Sequence, residues 1–330
     1  MAMRVLAMLL SVTVLCGGTD AQVARAGQTT QMGSAAPGAW SIAPPMLDGR
    51  AAHAVVVADG AVYALAGTGS DGHPVLAVER FDGRRWRHET ELPGHGLNAP
   101  VAAAIGQRIF LIGGFDTTTN VPTAQVLVYD THSRQWSTAA PLPRPRGGLA
   151  AVVLDGRIHV IGGGNSESTL PDHSAYDPAA DRWVTLAPLP RSLGSPAAVV
   201  HERALYSIGG RSGLEDFGNV WRYDAGANVW TAGPALPPRG THGAVAACGT
   251  IYVFGGESQP LARVLGDVLR LDSAHDAWKA QAPMPTPRDF ARAVLFRGAV
   301  LVVGGSLSPG SSHESAGSRL VERYDPGCGS

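Results

Sequence analysis

Two residues of opposite charge, Arg211 and Glu257, each directly follow a pair of glycines. Such glycine pairs recur along the chain, but the residue after the pair changes in chemistry from copy to copy. A guanidinium and a carboxylate at neighbouring copies of one position form either a simple ion pair or a polar group that holds a small hydroxylated or anionic ligand. The sequence leaves both interpretations open, and the repeat that carries the residues determines where they lie.

The glycine pairs belong to six apolar runs, each of which ends in a doublet of small residues. The doublets are Ala66-Gly67, Gly113-Gly114, Gly162-Gly163, Gly209-Gly210, Gly255-Gly256 and Gly304-Gly305. They begin 47, 49, 47, 46 and 49 residues apart. A regular period of this length, with one strand-rich unit per repeat, is typical of β-propeller blades.

Each repeat contains up to four strand-like runs, and the fourth run carries a tryptophan in five of the repeats. The sixth repeat has only three runs, which end at Tyr324-Asp325. The segment around Trp40 resembles the segment around Trp136, so it supplies the missing run and removes an open sheet edge. We therefore predict an all-β, six-bladed propeller over residues 39–326, with the sixth blade closed by the N-terminal strand around Trp40.

The order of these features resembles the Kelch repeat: the doublet, an aromatic-Asp pair such as Tyr129-Asp130, the tryptophan and a Pro-Arg that opens the next repeat. In Kelch propellers, the residue after the doublet and the residue after the Pro-Arg arginine face one mouth of the central channel. The resemblance therefore implies a site at that mouth. It would contain Arg211, Glu257, Asn98, Phe115 and Asp289, with Asp116 and Asn165 nearby.

Four arginines lie at one register position, sixteen residues before a doublet: Arg50, Arg146, Arg239 and Arg288. A shared position favours a role in the framework of the repeat. Because arginine binds carboxylates through two parallel hydrogen bonds, Arg239 and Arg288 also remain candidate ligand contacts at the rim. His53 and His242 share another register position, and we interpret them as structural.

Composition and the N-terminal segment limit the possible locations and partners. The net charge of -1 predicts no attraction to nucleic acid or to an anionic membrane. Residues 1–21 have the arginine, short apolar run and small residues of a secretory signal peptide, and the run is too short to span a bilayer. We expect a periplasmic or secreted protein without membrane insertion, a flexible segment at 22–38 and a C-terminal tail at 327–330.

Two cysteines remain after the predicted cleavage. Cys248 lies in an Ala- and Val-rich segment, which predicts a small buried hydrophobe. An oxidising compartment permits a bond to Cys328, but the spacing gives no argument for one. Two cysteines without clustered histidines predict no structural metal site, and we expect no cofactor.

Two functions fit this sequence. A secreted binding module would engage a glycan, a small polar molecule or a protein partner at the mouth. The alternative is an isomerase, because six-bladed Kelch proteins with signal peptides include the sialic acid mutarotases, which this chain resembles in blade count and export. That resemblance implies Glu257 as the base at the anomeric hydroxyl and Arg211 as the group that holds the sugar carboxylate or stabilises charge. Whether the protein is an enzyme stays open.

Overall fold

The computed structural model describes residues 38–274, 276–310 and 316–328. These residues form six four-stranded antiparallel sheets and two short ribbons, and they contain no helix. The predicted signal peptide at 1–21 and residues 22–37 of the predicted flexible segment lie outside the described residues. No helix in the described part of the chain is long and apolar enough to cross a membrane.

Each sheet is one blade, and the first strands of neighbouring blades contact one another around a closed ring. The strands of blades one to three are Ala54–Ala58, Ala61–Leu65, Ala77–Phe81 and Trp86–Glu91; Val101–Ile105, Arg108–Ile112, Val126–Asp130 and Gln135–Thr138; and Ala150–Leu154, Arg157–Ile161, His173–Asp177 and Arg182–Thr185. Those of blades four to six are Ala197–His201, Ala204–Ile208, Val220–Asp224 and Val229–Gly233; Gly243–Ala247, Thr250–Ser258, Arg263–Asp272 and Ala277–Gln281; and Arg292–Phe296, Ala299–Val303, Val321–Tyr324 and Trp40–Ile42. The ribbons pair Leu97–Asn98 with Phe115–Asp116 and Arg211–Ser212 with Glu215–Asp216.

The N-terminal strand closes blade six, as the sequence predicts. Trp40 pairs with Tyr324, and its indole Nε1 donates a 3.0 Å hydrogen bond to the carbonyl of Ala282 in blade five. Outer-strand tryptophans of four other blades make the same bond to the preceding blade. These bonds run from Trp86 to Pro44, Trp183 to Ala140, Trp230 to Ala187 and Trp278 to Pro234. The tryptophans therefore join neighbouring blades at their outer edges.

The glycine doublets join the blades nearer the channel. In all six repeats, the second doublet residue donates its N–H to the carbonyl of the residue sixteen positions before the next doublet, and the ring closes with Gly305 donating to Arg50 at 2.8 Å. Gly256 has a φ of +101°, and a Cβ there would lie 2.6 Å from the carbonyl oxygen of Gly240. The doublet is small because the backbones approach so closely at this point.

The four register arginines are buried inside the blades and pair with acids in or beside the third strand. Arg50 binds Glu79 at 3.0 Å and Arg288 binds Glu322 at 2.8 Å, and none of these four side chains has exposed surface. Arg239 binds Asp267 at 2.6 Å, and Arg146 lies 3.8 Å from Asp172. In these four blades the pair connects the start of the blade to its middle, which is the framework role.

Cys248 and Cys328 form a disulfide, so the interpretation of Cys248 as a buried hydrophobe is wrong. Cys248 lies in the two-residue turn between Ala247 and Thr250, with a φ of +50°, and it is exposed. The apolar run predicts burial only for the strand, whereas the turn directs this side chain outward. The bond ties the C-terminal end of blade six to blade five.

Replacing both cysteines with serine is expected to lower the free energy of unfolding by about 2–4 kcal/mol. The disulfide joins residues 80 positions apart, so it removes much chain freedom from the unfolded state. Urea denaturation of the wild type and the double variant measures the loss. A reducing agent should weaken the wild type and leave the variant unchanged, and equal stability of the two oxidised proteins would contradict the prediction.

Candidate functional site

The two register positions that the Kelch resemblance implies at the mouth pair with each other in every blade. These pairs lie beyond the first and second strands, at one end of the ring, which we call the mouth. They are Ala51 with Thr68, Asn98 with Phe115, Gly147 with Gly164, Gly194 with Arg211, Gly240 with Glu257 and Asp289 with Ser306. The structure therefore places the candidate residues around one opening.

A ring of residues with left-handed backbone lies at the channel side of these pairs. Its members all have positive φ: Ala52, Ala99, Gly148, Ser195, Thr241 and Phe290. Four hydrogen bonds connect successive members, in which Ala99 donates to Ala52, Gly148 to Ala99, Ser195 to Gly148 and Thr241 to Ser195. This backbone ring holds the inner ends of the blades at fixed positions.

Phe290 crosses the channel entrance. It belongs to blade six, yet it forms one buried apolar cluster with Ala52 of blade one and Ala99 of blade two, against which half-buried Phe115 packs. The guanidinium of Arg211, from blade four, lies 5.6 Å from the centre of the Phe290 ring, within the range of a cation–π contact. The mouth therefore has an aromatic floor.

Arg211 and Glu257 form an ion pair between blades four and five. The carboxylate of Glu257 has no exposed surface, and its second oxygen accepts a 3.4 Å hydrogen bond from the N–H of Gly310. Glu257 is held rigidly because its strand continues past a bulge at the Gly255-Gly256 doublet instead of ending there. Of the two interpretations that the sequence leaves open, the ion pair is the one present in the structure.

Two further carboxyl groups lie beside this pair. Asp289 is fully buried, and neither of its carboxylate oxygens has a hydrogen-bond partner among the described residues. Burial and the nearby charge of Glu257 raise the pKa of Asp289 to about 8. Asp216 lies opposite Arg211 in its ribbon and accepts a 2.6 Å bond from the N–H of Gln259, and burial raises its pKa. We call Arg211, Asp216, Glu257 and Asp289 the mouth cluster.

The mouth cluster can exchange protons as well as bind. With its pKa near 8, Asp289 is a neutral acid at pH 7 and can donate a hydrogen bond, while Glu257 is held beside the Arg211 cation. A pair of carboxyl groups in unlike environments is the arrangement that supports acid and base roles in one site.

The side chains of three other candidate residues form hydrogen bonds with nearby groups of the protein. Asn98 is buried and donates to the hydroxyl of Thr68 at 2.7 Å. Asp116 accepts hydrogen bonds from the backbone N–H groups of Thr118 and Thr119, which lower its pKa. Asn165 accepts two in the same way from the backbone of its own loop. These side chains shape the mouth loops.

Arg239 and Arg288 do not reach the mouth as ligand contacts. Both are buried, with their guanidinium groups bonded to Asp267 and Glu322 and to backbone carbonyls inside the blades. Their shared register already indicates this framework role. The expectation that they also contact a ligand at the rim is not supported, because the paired acids satisfy them.

Sequence reasoning missed four exposed aliphatic residues on the loops of the mouth. Val121, Leu214, Leu261 and Leu307 are 54%, 80%, 62% and 57% exposed. They lie between the second and third strands of blades two, four, five and six. Turns at the opposite end, such as Asp59-Gly60 and Asp155-Gly156, are polar. We call these four residues the apolar crown; isolated leucines in variable loops gave no signal in the sequence.

Comparisons with known proteins agree with this architecture. The family model for the Attractin/LZTR1 beta-propeller matches residues 109–330. Kelch-like protein 35 of Mus musculus is 27% identical over 125 residues, which cover 38% of this chain and 21% of the relative. Alpha-scruin of Limulus polyphemus is 30% identical over 163 residues, which cover 46% of this chain and 18% of that relative. N-acetylneuraminate epimerase of Pasteurella multocida (strain Pm70) is 29% identical over 124 residues, which cover 36% of this chain and 32% of that relative.

These matches extend over only part of each relative, from 18% to 32% of its length. The solved structure of YjhT superimposes with a TM-score of 0.72 at 15% identity, covering 85% of this chain and 95% of that one, which shows the shared fold. The Kelch-type propeller suggests a binding or interaction role. Because the family model spans residues 109–330, the chain belongs to the Attractin/LZTR1 β-propeller family, a group of Kelch-type propellers.

Proposed function

We propose that this propeller is an interaction protein that holds a partner protein on its mouth loops. The apolar crown is the observation that carries the proposal. Exposed apolar side chains that together form a patch rimmed by polar residues mark sites of protein–protein interaction. Three of the four, Leu214, Leu261 and Leu307, stand on the same three blades as the mouth cluster. The partner would place apolar side chains against these loops and polar groups near Arg211.

The rigidity of the scaffold supports the same proposal. The closed ring of doublet hydrogen bonds and the four bonds between successive left-handed residues fix the loop bases, and Asp116 and Asn165 fix two of the loops from within. A preordered surface loses little conformational freedom when a partner binds. Glu257 and Asp289 have no exposed surface, so the accessible part of the mouth is formed mainly by the loops.

The test compares two sets of apolar-to-acid changes. A Leu214→Asp/Leu261→Asp/Leu307→Asp variant should lose at least about tenfold in affinity for a partner isolated with the wild-type protein, because central apolar contacts dominate interfaces. A Val184→Asp/Val229→Asp variant alters exposed valines on outer strands and should bind normally. Equal binding by all three proteins would overturn the proposed surface.

We also propose that the protein acts outside the cytoplasm, in the periplasm or beyond it. The Cys248–Cys328 disulfide supports this location, because such bonds persist in oxidising compartments. The signal-like composition of residues 1–21 supports it independently. Fractionation of the source cells, with the oxidation state of both cysteines measured by mass spectrometry, tests the location. A reduced protein in the cytoplasm would contradict it.

A sugar mutarotase is the second candidate, favoured by one observation. Glu257 and the neutral acid Asp289 provide the base and the donor that opening a hemiketal ring requires. The partial similarity to N-acetylneuraminate epimerase makes sialic acid the first substrate to test. Anomeric exchange followed by NMR should accelerate with the wild type and fall to the buffer rate with Glu257→Gln. No acceleration by the wild type would remove this candidate and leave the interaction proposal intact.

A further inference from the structure

A lone arginine stands inside the central channel, away from the mouth cluster. In each blade, the first strand begins four residues after the register position that an arginine occupies in four blades and a leucine in the other two. The first residues of these strands are Ala54, Val101, Ala150, Ala197, Gly243 and Arg292. Five of them are small or aliphatic, as a converging channel requires, and Arg292 is the one charged member. The framework has no need of an arginine here.

Arg292 lines a cavity of about 100 Å³ on the channel axis. First strands of all six blades contribute to its wall, mainly through alanine, valine, leucine and proline. His242 is the other polar residue at this wall, and burial lowers the pKa of its imidazole to about 3, so the ring is neutral at pH 7. The cavity therefore combines small apolar side chains and polar backbone with one cation and one neutral imidazole.

The positive charge of Arg292 has no balancing acid in the described part of the chain. Its Nε donates a 2.8 Å bond to the carbonyl of His53, and no described carboxylate lies within ion-pair distance. The register arginines, in contrast, all pair with acids. Burial lowers the pKa of Arg292 to about 10, so the side chain keeps its charge at pH 7. The Arg292 side chain is partly exposed to the channel, and a guanidinium cannot readily lose its proton.

The cavity can be reached from the end opposite the mouth. Three residues further along the first strands, one residue in each of the six blades is partly or fully exposed: Val57, Ala104, Val153, Val200, Ala246 and Leu295. At the mouth end, Phe290 and the backbone ring separate the cavity from the loops. A small solute would therefore enter through the far opening, and a polymer or a folded partner is too large for the space.

We propose that the central channel binds one small monovalent anion between the Arg292 guanidinium and the imidazole of His242. The ligands that fit this site carry a single negative charge. They are small enough for the cavity, as a halide or a one- or two-carbon carboxylate is. Arg292 supplies N–H donors on its outer nitrogens, and His242 supplies one more from its neutral ring. The anion neutralises Arg292, for which the described residues supply no acid partner. This site is separate from the proposed function at the mouth.

Crystallography with bromide tests the site on the wild-type protein. Crystals grown in gluconate, which is too large for the cavity, are soaked in sodium bromide and measured at the bromine absorption edge. The expected result is an anomalous peak in hydrogen-bond contact with Arg292. A channel that contains only water after the soak would overturn the proposal. A second soak adds formate to the bromide solution. Loss of the bromide peak identifies a site that takes a carboxylate, and retention of the peak identifies a halide site.

Thermal unfolding gives an independent readout. At constant ionic strength, exchanging gluconate for bromide or formate should raise the melting temperature of the wild type saturably, by roughly 2–4 °C at about ten times the Kd. Arg292→Met should lose this response. Arg84→Met removes an exposed arginine and should respond like the wild type. An equal response in Arg292→Met and the wild type would reject the site. If the methionine variant does not fold, the bromide soak of the wild type decides alone.

Discussion

Arg211→Met is expected to lower the free energy of unfolding by about 3–5 kcal/mol, because it leaves the buried carboxylate of Glu257 without its cation. Glu257 has no exposed surface, and besides the Arg211 contact its carboxylate accepts only a 3.4 Å bond from Gly310 among the described residues. Methionine retains the aliphatic stem that packs over Gly240, so the loss comes chiefly from the charge. Urea denaturation at neutral pH measures the change.

Two further variants separate this effect from a general loss of packing. Arg211→Met/Glu257→Met removes both charges and should recover most of the lost stability, since apolar replacement of a buried pair is often neutral. Arg203→Met breaks a pair with Asp155 in which both side chains are mostly exposed, and it should cost less than about 1 kcal/mol. A small cost for Arg211→Met, or no recovery in the double variant, would contradict a coupled buried pair.

The pair also connects the mouth cluster to the apolar crown. Arg211 begins the ribbon that carries Leu214, and Glu257 precedes the turn that carries Leu261. The Gly310 contact joins the loop of Leu307 to the same carboxylate. Loss of the pair should therefore weaken partner binding as well as stability, because three crown residues lose a common support.

The repeat in the sequence determines most of the architecture. The doublet spacing predicts six blades, and the match between the Trp40 and Trp136 segments predicts the closing strand. These predictions succeed because the blades repeat one set of short-range demands: close backbone approach at all six doublets, an inter-blade bond from tryptophan in five blades and a buried arginine pair in four. The Cys248–Cys328 bond could not be predicted, because the two residues meet only after blades five and six have packed.

The sequence identifies residues that meet at one end of the ring, but it does not show the contacts that they make there. The register position indicates which residues lie at the mouth. It does not indicate whether their side chains already form hydrogen bonds with neighbouring groups, as those of Asp116, Asn165 and Asn98 do. Phe290 and Arg292 were visible as exceptions at their own register positions. Their importance depends on contacts across the channel axis, between blades that are distant in sequence. Such contacts follow from ring closure, which a repeat pattern does not encode.

Asp289→Asn is expected to raise the free energy of unfolding at pH 8 and above. The full effect, accumulated between about pH 4 and about pH 8, is on the order of 5 kcal/mol. The pKa of Asp289 is raised from 3.8 to about 8 by burial and by Glu257, with Arg211 opposing. Between these values the folded protein retains a proton that the unfolded chain has lost. The contribution of Asp289 is therefore greatest at low pH and disappears as the pH rises from about 4 to about 8.

The difference in unfolding free energy between Asp289→Asn and the wild type isolates this group, because other titrations cancel. His242 changes its contribution only below pH 6.5, since burial lowers its pKa to about 3. Between about pH 6.5 and pH 8 the difference should grow by about 2 kcal/mol and then level off. Asp71→Asn alters an exposed carboxylate whose pKa is lowered, so its difference from the wild type should stay constant over that range. A constant difference for Asp289→Asn as well would mean that Asp289 is ionised in the folded protein. It would also remove the proton donor on which the mutarotase candidate depends.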